Sequence, residues 1–207
     1  MNILTTLAVA DKKWGHFSLN WVLSVKNSRP SANTLLIYEQ SAIEGNEELL
    51  DYYFDYKVEV PKNPYKTGHE YAFRLKTQLY SLVQKYGNKF IFIDADCIMN
   101  PRASVDEWFE ELRDVDFTMW CNDVYDFHTK TRTRDDYFFW CDPKEACINY
   151  EIERLPQVNS SFIYFSKSEE SKKIFDYANS AFNYPQVDIK KYKDAIPDEF
   201  CFNIALG

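Results

Sequence analysis

The chain has 207 residues, of which 45% are hydrophobic and 27% charged, a balance that suits one globular domain and excludes a disordered chain. A net charge of -8 denies the surface the broad positive field that general nucleic-acid binding requires. The apolar run in the opening "MNILTTLAVADKKWGH" is too short for a membrane span and lacks the basic start of a signal peptide.

That opening reads instead as a first buried strand over 3–9, followed by a helix over about 16–27 carrying Phe17, Trp21, Val22 and Val25. "TLLIYE" (34–39) and "YKVEVP" (56–61) read as further strands, giving an α/β rhythm. From His69 to Tyr86 the residues Ala72, Leu75, Leu79, Leu82, Val83 and Tyr86 recur at helical spacing, and Gly87 stands where a helix would stop. A strand over 90–93 follows and ends at Asp94 and Asp96. "SVDE" (104–107) is a capping box opening a short helix, and "DFTMW" (116–120) is another strand candidate.

The stretch 122–149, with "DFHTKTRTRDDYFFWCD", has no clear apolar period and reads as a long excursion over the sheet edge. Lys130, Arg132 and Arg134 would count as a phosphate-binding stripe only if they clustered with Arg74 or Lys76; a solvated loop is the simpler reading. Regularity returns with a strand over 158–166. Ser166 and Glu169 read as a second capping box before a helix through about Phe182, and "DEFCFNIALG" reads as a last helix. Cys97, Cys121, Cys141, Cys147 and Cys201 are odd in number and form no C-x-x-C pair, so reduced thiols and a cytoplasmic location are expected. Cys141, Cys147 and His128 are close in the chain, but their spacing matches no structural-zinc pattern.

In an open α/β sheet, ligands sit beyond the carboxyl ends of the strands, where "GNKFIFIDADCIMNP" (87–101) places Asp94 and Asp96. On extended backbone, residues i and i+2 face the same side, so two carboxylates around one small alanine can converge. Such oxygen ligands suit magnesium or manganese held together with substrate phosphates, although aspartates after a strand also simply favour turns. Arg74 and Lys76 precede them on a helix and offer charges for a phosphate. Asn159 opens a second strong strand, and Asp198 with Glu199 forms another acidic pair at the start of the last helix, where acids also complement the helix dipole.

These residues, in this order, resemble the glycogenin-like and galactosyltransferase-like glycosyltransferases. "KFIFIDADCIM" (89–99) looks like that family's metal block, "VNSSFIYFSKSEESKKIFDYA" (158–178) its asparagine strand and following helix, and "PDEFCFNIAL" (197–206) its D-Q-x-x-x-N block. The resemblance implies a GT-A, Rossmann-like fold: a mixed, mostly parallel sheet flanked by helices, as one domain over 1–207. It implies a glycosyltransferase, transferring a hexosyl or pentosyl group from a nucleotide-diphosphate sugar, with UDP as the expected nucleotide, and it favours retention of configuration. Asp94 and Asp96 would hold Mn2+ or Mg2+, with Asp94 also facing the donor. Arg74, Lys76 and Asn159 would contact the donor, and Ala8, Ala10, Asp11 and Trp14 would cup its base and ribose. Asp198 and Glu199 fall on the catalytic positions.

Ser161 stands where the family has glycine, Glu199 where it has glutamine, and the family's third metal ligand, a histidine, would lie past the last residue, so the expectation is a metal site that is incomplete, uses water or another side chain, or belongs to a domain cut short. The acceptor is open among a glycan, a small molecule, a protein tyrosine and a modified DNA base. Loop aromatics Tyr125, Phe127, Tyr137 and Phe138 are candidates to stack on a sugar or base. Two other readings compete: a nucleotidyltransferase, for which "ADKKWGH" supplies lysines but little glycine, and a degenerate sugar-nucleotide-binding or scaffold module.

Overall fold

The structure is a computed structural model that describes residues 1–132 and 139–207. In chain order the first half runs β1 (Asn2–Ala8), α1 (Lys13–Asn27), β2 (Asn33–Tyr38), α2 (Gln40–Ile43), α3 (Glu47–Tyr53), β3 (Tyr56–Glu59), α4 (Gly68–Lys76), α5 (Leu79–Val83) and β4 (Lys89–Ile93). The second half runs α6 (Val105–Glu111), β5 (Phe117–Asp126), β6 (Thr131–Arg132), α7 (Pro143–Asn149), β7 (Arg154–Ser166), α8 (Glu169–Asn183) and α9 (Asp198–Leu206). Among the described residues no helix is long and apolar enough to cross a membrane.

The strands form one seven-stranded sheet in the order β3-β2-β1-β4-β7-β5-β6. β1 to β4 are mutually parallel; β7 opposes β4, β5 opposes β7 and so runs with β4, and β6 opposes β5, so most strands share one direction. Alternation along β1 and β4 divides the core. Ile3, Leu7, Phe90 and Phe92 join the cluster under α4, α5, α8 and α9, while Leu4, Ala8, Ile91 and Ile93 join the one under α1, α3 and α6.

The structure departs from the sequence reading in three places. The helix read over 69–86 is two, because the Thr77 hydroxyl donates to the Arg74 carbonyl at 2.9 Å and closes α4 before α5 begins. The break leaves Lys76 as the last residue of α4. The cap of α8 is Ser168, which accepts from the Ser171 amide, whereas the Ser166 hydroxyl donates to Asp116. Finally, the 122–149 excursion is partly regular: β5 continues to Asp126, and α7 opens on Asp142, whose side chain accepts from the Glu145 amide with Pro143 in the first turn. Ser104 caps α6 as read, its hydroxyl accepting from the Glu107 amide.

Candidate active site

A cleft opens at the carboxyl ends of β1 and β4. Its larger part, about 460 Å³, has Leu7 and Val9 as floor, Trp14 and Phe17 of α1 on one side, His69 and Phe73 of α4 on the other, and Asp94 to Asp96 at its end. A second part of about 270 Å³ shares Phe73, Lys76, Asp94 and Tyr192 with the first and continues to Asn159, Ser161, Asp198 and Glu199. Gly68 lets α4 start this close to the loop after β1, since a Cβ there would stand 2.5 Å from that of Ala10.

β4 ends at Ile93 and the chain turns at once, the Cys97 amide donating to the Asp94 carbonyl at 3.0 Å. The extended i, i+2 geometry expected for the two aspartates is therefore replaced by a turn; both still line the cleft, with Ala95 buried between them. They differ sharply. Asp96 is exposed, and among the described residues its carboxylate meets only the Cys97 thiol, at 4.0 Å. Asp94 receives the Lys76 ammonium on both oxygens, at 2.8 and 3.0 Å. Lys76 also donates to the Ser160 hydroxyl at 3.2 Å and approaches Asp198 at 3.6 Å, with the Phe92 ring beneath it.

Burial by itself would lower the Lys76 ammonium, but Asp198 and Asp94, with Glu199 behind them, raise it above its ordinary value, so it stays charged. Burial raises Asp94; Lys76 pulls it back, and the Asp198 and Asp96 carboxylates push it up again, leaving it above its ordinary value. Among the described residues no third His, Cys, Asp or Glu joins the two aspartates in a metal-holding cluster.

The other end of the cleft is made by a break in β7. Ile163 pairs with Met119 but Asn159 pairs with Trp120, so residues 160–162 are extra against β5, while the Ser161 carbonyl still accepts from the Asp94 amide at 3.0 Å. The bulge turns Asn159 to Ser161 into the cleft. There the Asn159 carbonyl oxygen accepts from the Ser161 amide at 2.9 Å and from the Ser161 hydroxyl, fixing the side-chain amide. Asn203 of α9 accepts from the buried Val158 amide at 2.9 Å, which locks α9 against the bulge.

Asp198, first residue of α9, is 2% exposed, and one of its oxygens has no hydrogen-bond donor among the described residues. Glu199 accepts from the Trp140 indole at 2.9 Å. Burial and then Asp198 raise Glu199 above its ordinary value, against the hydrogen bonds from Trp140 and the Ser160 backbone.

Residues 46–200 match the family model for nucleotide-diphospho-sugar transferases. The chain belongs to that family. Its fold is similar to the crystal structure of the galactosyltransferase LgtC in complex with donor and acceptor sugar analogs, with a TM-score of 0.59 and 12% identity over 99% of this chain and 70% of that one. At that identity the likeness speaks to the fold, GT-A. No curated protein matches the chain.

Within this glycosyltransferase, Lys76, Asp94, Asp96, Asn159, Asp198 and Glu199 come together as the sequence suggested, and Trp14 lines the far end of the cleft. Ala8 does not: strand alternation sends it into the opposite core and leaves Leu7 and Val9 in the cleft. Ala10 and Asp11 line a side depression with Gly68 and His69. Ala10 is left-handed there, φ 73°, held by its amide donating to the buried Glu39 at 3.0 Å. Arg74 turns to α8, donating to Asn179 and lying over the Phe182 ring, so it braces helices and does not line the cleft.

Tyr125 is a core side chain and Phe127 packs on the core, so neither is a stacking platform; Tyr137, Phe138 and Arg134 lie outside the described residues. Arg132 pairs with buried Asp123 at 2.9 Å and stacks on Phe139, so it does not extend a basic stripe. His128 faces Glu153 on the surface while Cys141 and Cys147 are buried, which separates the conceivable zinc ligands.

Sequence reasoning missed His69, Phe73, Trp140, Tyr192 and Lys193. The first two were findable, since His69, Phe73 and Lys76 recur at i, i+4 and i+7 on one helix face. No local pattern marks the other three.

Proposed function

We propose that this glycosyltransferase takes a UDP-sugar donor, depends on Mn2+ or Mg2+ held by Asp94 and Asp96, and passes the sugar to an acceptor hydroxyl with retention of configuration. The observation that carries the reading is the single cleft in which Lys76 joins the Asp94 turn to Asn159, Asp198 and Glu199. The donor set fits the ion: Asp96 offers uncommitted carboxylate oxygens beside Asp94, and these cations are commonly held by one or two carboxylates plus substrate phosphates. When bound, the metal supplies Lewis-acid neutralisation of the leaving nucleoside diphosphate.

The protein's own groups do the rest. Lys76 places a fixed positive charge where negative charge grows on the leaving group, and its ammonium favours the ionised form of Asp94 against burial. Asn159, its carbonyl oxygen engaged by Ser161, has its amide hydrogens left for a sugar hydroxyl. Asp198 and Glu199 bring carboxylates to the reacting end, where a desolvated carboxylate can orient or partly stabilise the positive anomeric carbon. Ser161 narrows the sugar pocket, having a side chain where the resembled family has none. Retention rests on the sequence resemblance and would be read from the anomeric proton of the product.

One observation favours a second reading, a module that binds sugar nucleotide without turning it over: Lys76 already covers both oxygens of Asp94. Calorimetry with UDP, GDP and CDP, with and without manganese, tests the main proposal. Manganese-dependent binding of UDP, lost in Asp96→Ala, supports it, and absence of nucleotide binding by the intact chain sinks it. Slow hydrolysis of the UDP-sugar in the absence of acceptor, again lost in Asp96→Ala, argues against the binding module.

A further inference from the structure

The acidic end of the cleft is matched by basic side chains that the proposed chemistry leaves unused. Lys13, His69 and Lys193 line the larger cavity and come from three separate segments: the start of α1, the start of α4 and the connection before α9. Lys193 Nζ stands 3.2 Å from His69 Nε2, a contact that requires the unprotonated nitrogen as acceptor. Burial, then the positive charges of Lys193 and Lys13, hold His69 below its ordinary value. Lys13 reaches Asp11 only at 3.9 Å, between two exposed side chains, and among the described residues Lys193 makes no ion pair. Two ammonium groups are thus gathered beside an unprotonated imidazole nitrogen at the wall of a cavity, with one long, exposed ion pair to Asp11 between them.

The backbone is bent to do it. Tyr192 and Ala195 exchange two hydrogen bonds, 2.9 and 3.0 Å, closing a turn whose central residues, Lys193 and Asp194, have φ of 48° and 66°. Such turns favour Asn-Gly; a lysine in the left-handed region is strained, and strain of this kind gathers at ligand clamps. The turn is anchored by Tyr192, whose ring packs on His69 at 5.8 Å, Phe73 at 6.3 Å and Trp140 at 6.3 Å, with the Lys193 ammonium 5.0 Å from its centre. A strap held on both walls thereby presents Lys193 over the cavity.

We propose that Lys13, His69 and Lys193 form a phosphoryl-anion site that binds without a metal ion, separate from the Asp94 and Asp96 position. Phosphoryl oxygens are the shared chemistry, and they can belong to the donor's diphosphate or to a phosphate on the acceptor. Only that attribution rests on the transferase reading.

The test is calorimetric binding of pyrophosphate and inorganic phosphate to the intact chain in EDTA at two salt concentrations. Pyrophosphate should bind, more weakly at high salt, and Lys193→Ala should weaken it about tenfold while Lys193→Arg retains most of it. No binding of either anion by the intact chain, or equal binding by a Lys13→Ala/Lys193→Ala double variant, overturns the site. Competition between metal-free UDP and pyrophosphate supports the site and gives it to the donor; pyrophosphate binding to chain saturated with UDP and manganese supports the site and gives it to the acceptor. Manganese-dependent UDP binding without any metal-free anion binding removes this site and leaves the transferase reading. Lys193-dependent pyrophosphate binding with no nucleotide binding under any condition does the reverse.

Discussion

The Asp94 turn and the start of α9 each bring a pair of acids into the same cleft, but by different means. Asp94 and Asp96 follow a strand into a turn open to solvent, where Asp96 is exposed and uncommitted. Asp198 and Glu199 are carried in on a buried helix, with Asp198 2% exposed and Glu199 tied to an indole. The first pair keeps a hydrated carboxylate able to exchange water for a cation. The second holds desolvated carboxylates whose charge must be met by fixed protein groups. Lys76 connects the two, and the contrast teaches that residue type names a chemistry while burial selects which part of it is used.

The largest expected effect comes from removing that connection. Lys76→Met strands Asp94 and Asp198 without their cation and should cost about 3 kcal/mol in urea unfolding at neutral pH. Because Lys76 titrates above its ordinary 10.5, its stabilisation is fully present below that pH and is lost only as pH rises through the raised value. The cost should shrink as pH falls far enough for Asp94, whose carboxyl sits above its ordinary value, to take up a proton. A cost below about 1 kcal/mol would dissolve the claimed coupling between the pairs.

A middle-sized effect sharpens the second pair. Glu199 sits above its ordinary 4.5 in the folded chain, so between those two values stability falls as pH rises. Trp140→Phe removes a hydrogen bond that favours the ionised form and should extend that window upward, seen in urea midpoints from acid to neutral pH. If Glu199 works ionised, the acid limb of kcat/KM moves up with it; an unmoved limb in the variant removes the indole from any role in positioning Glu199.

The smallest stability effect belongs to the first pair. Asp96→Asn should leave the unfolding free energy in urea unchanged within about 0.5 kcal/mol while abolishing manganese-dependent UDP binding. A large loss of stability instead would mean that Asp96 is a structural turn residue, erasing the contrast with Asp198.

The β1 and β4 strands were readable because strands buried on both faces are near-continuous runs of apolar and β-branched residues, with Thr5 and Thr6 the buried polar members in β1, and Asp94 stands where such a run stops. The placement of Ala8 was misread, since its small size gave no hint that alternation would turn it away from the cleft. Arg74 and Lys76 looked equivalent in the sequence. The early end of α4 at Thr77 and the position of α8 sent one to Asn179 and the other to Asp94.

By itself the sequence determined the α/β order, the two acidic pairs and the family they resemble, because these are carried by local periodicity and short contiguous motifs. Only the tertiary structure decided that three extra residues in β7 bring Asn159 beside Asp94, that Trp140 holds Glu199, and that Tyr192 and Lys193 close over the cleft. Those pairings join residues far apart in the chain, and no local propensity encodes them; burial of the two core faces and the satisfaction of buried polar groups fix them together.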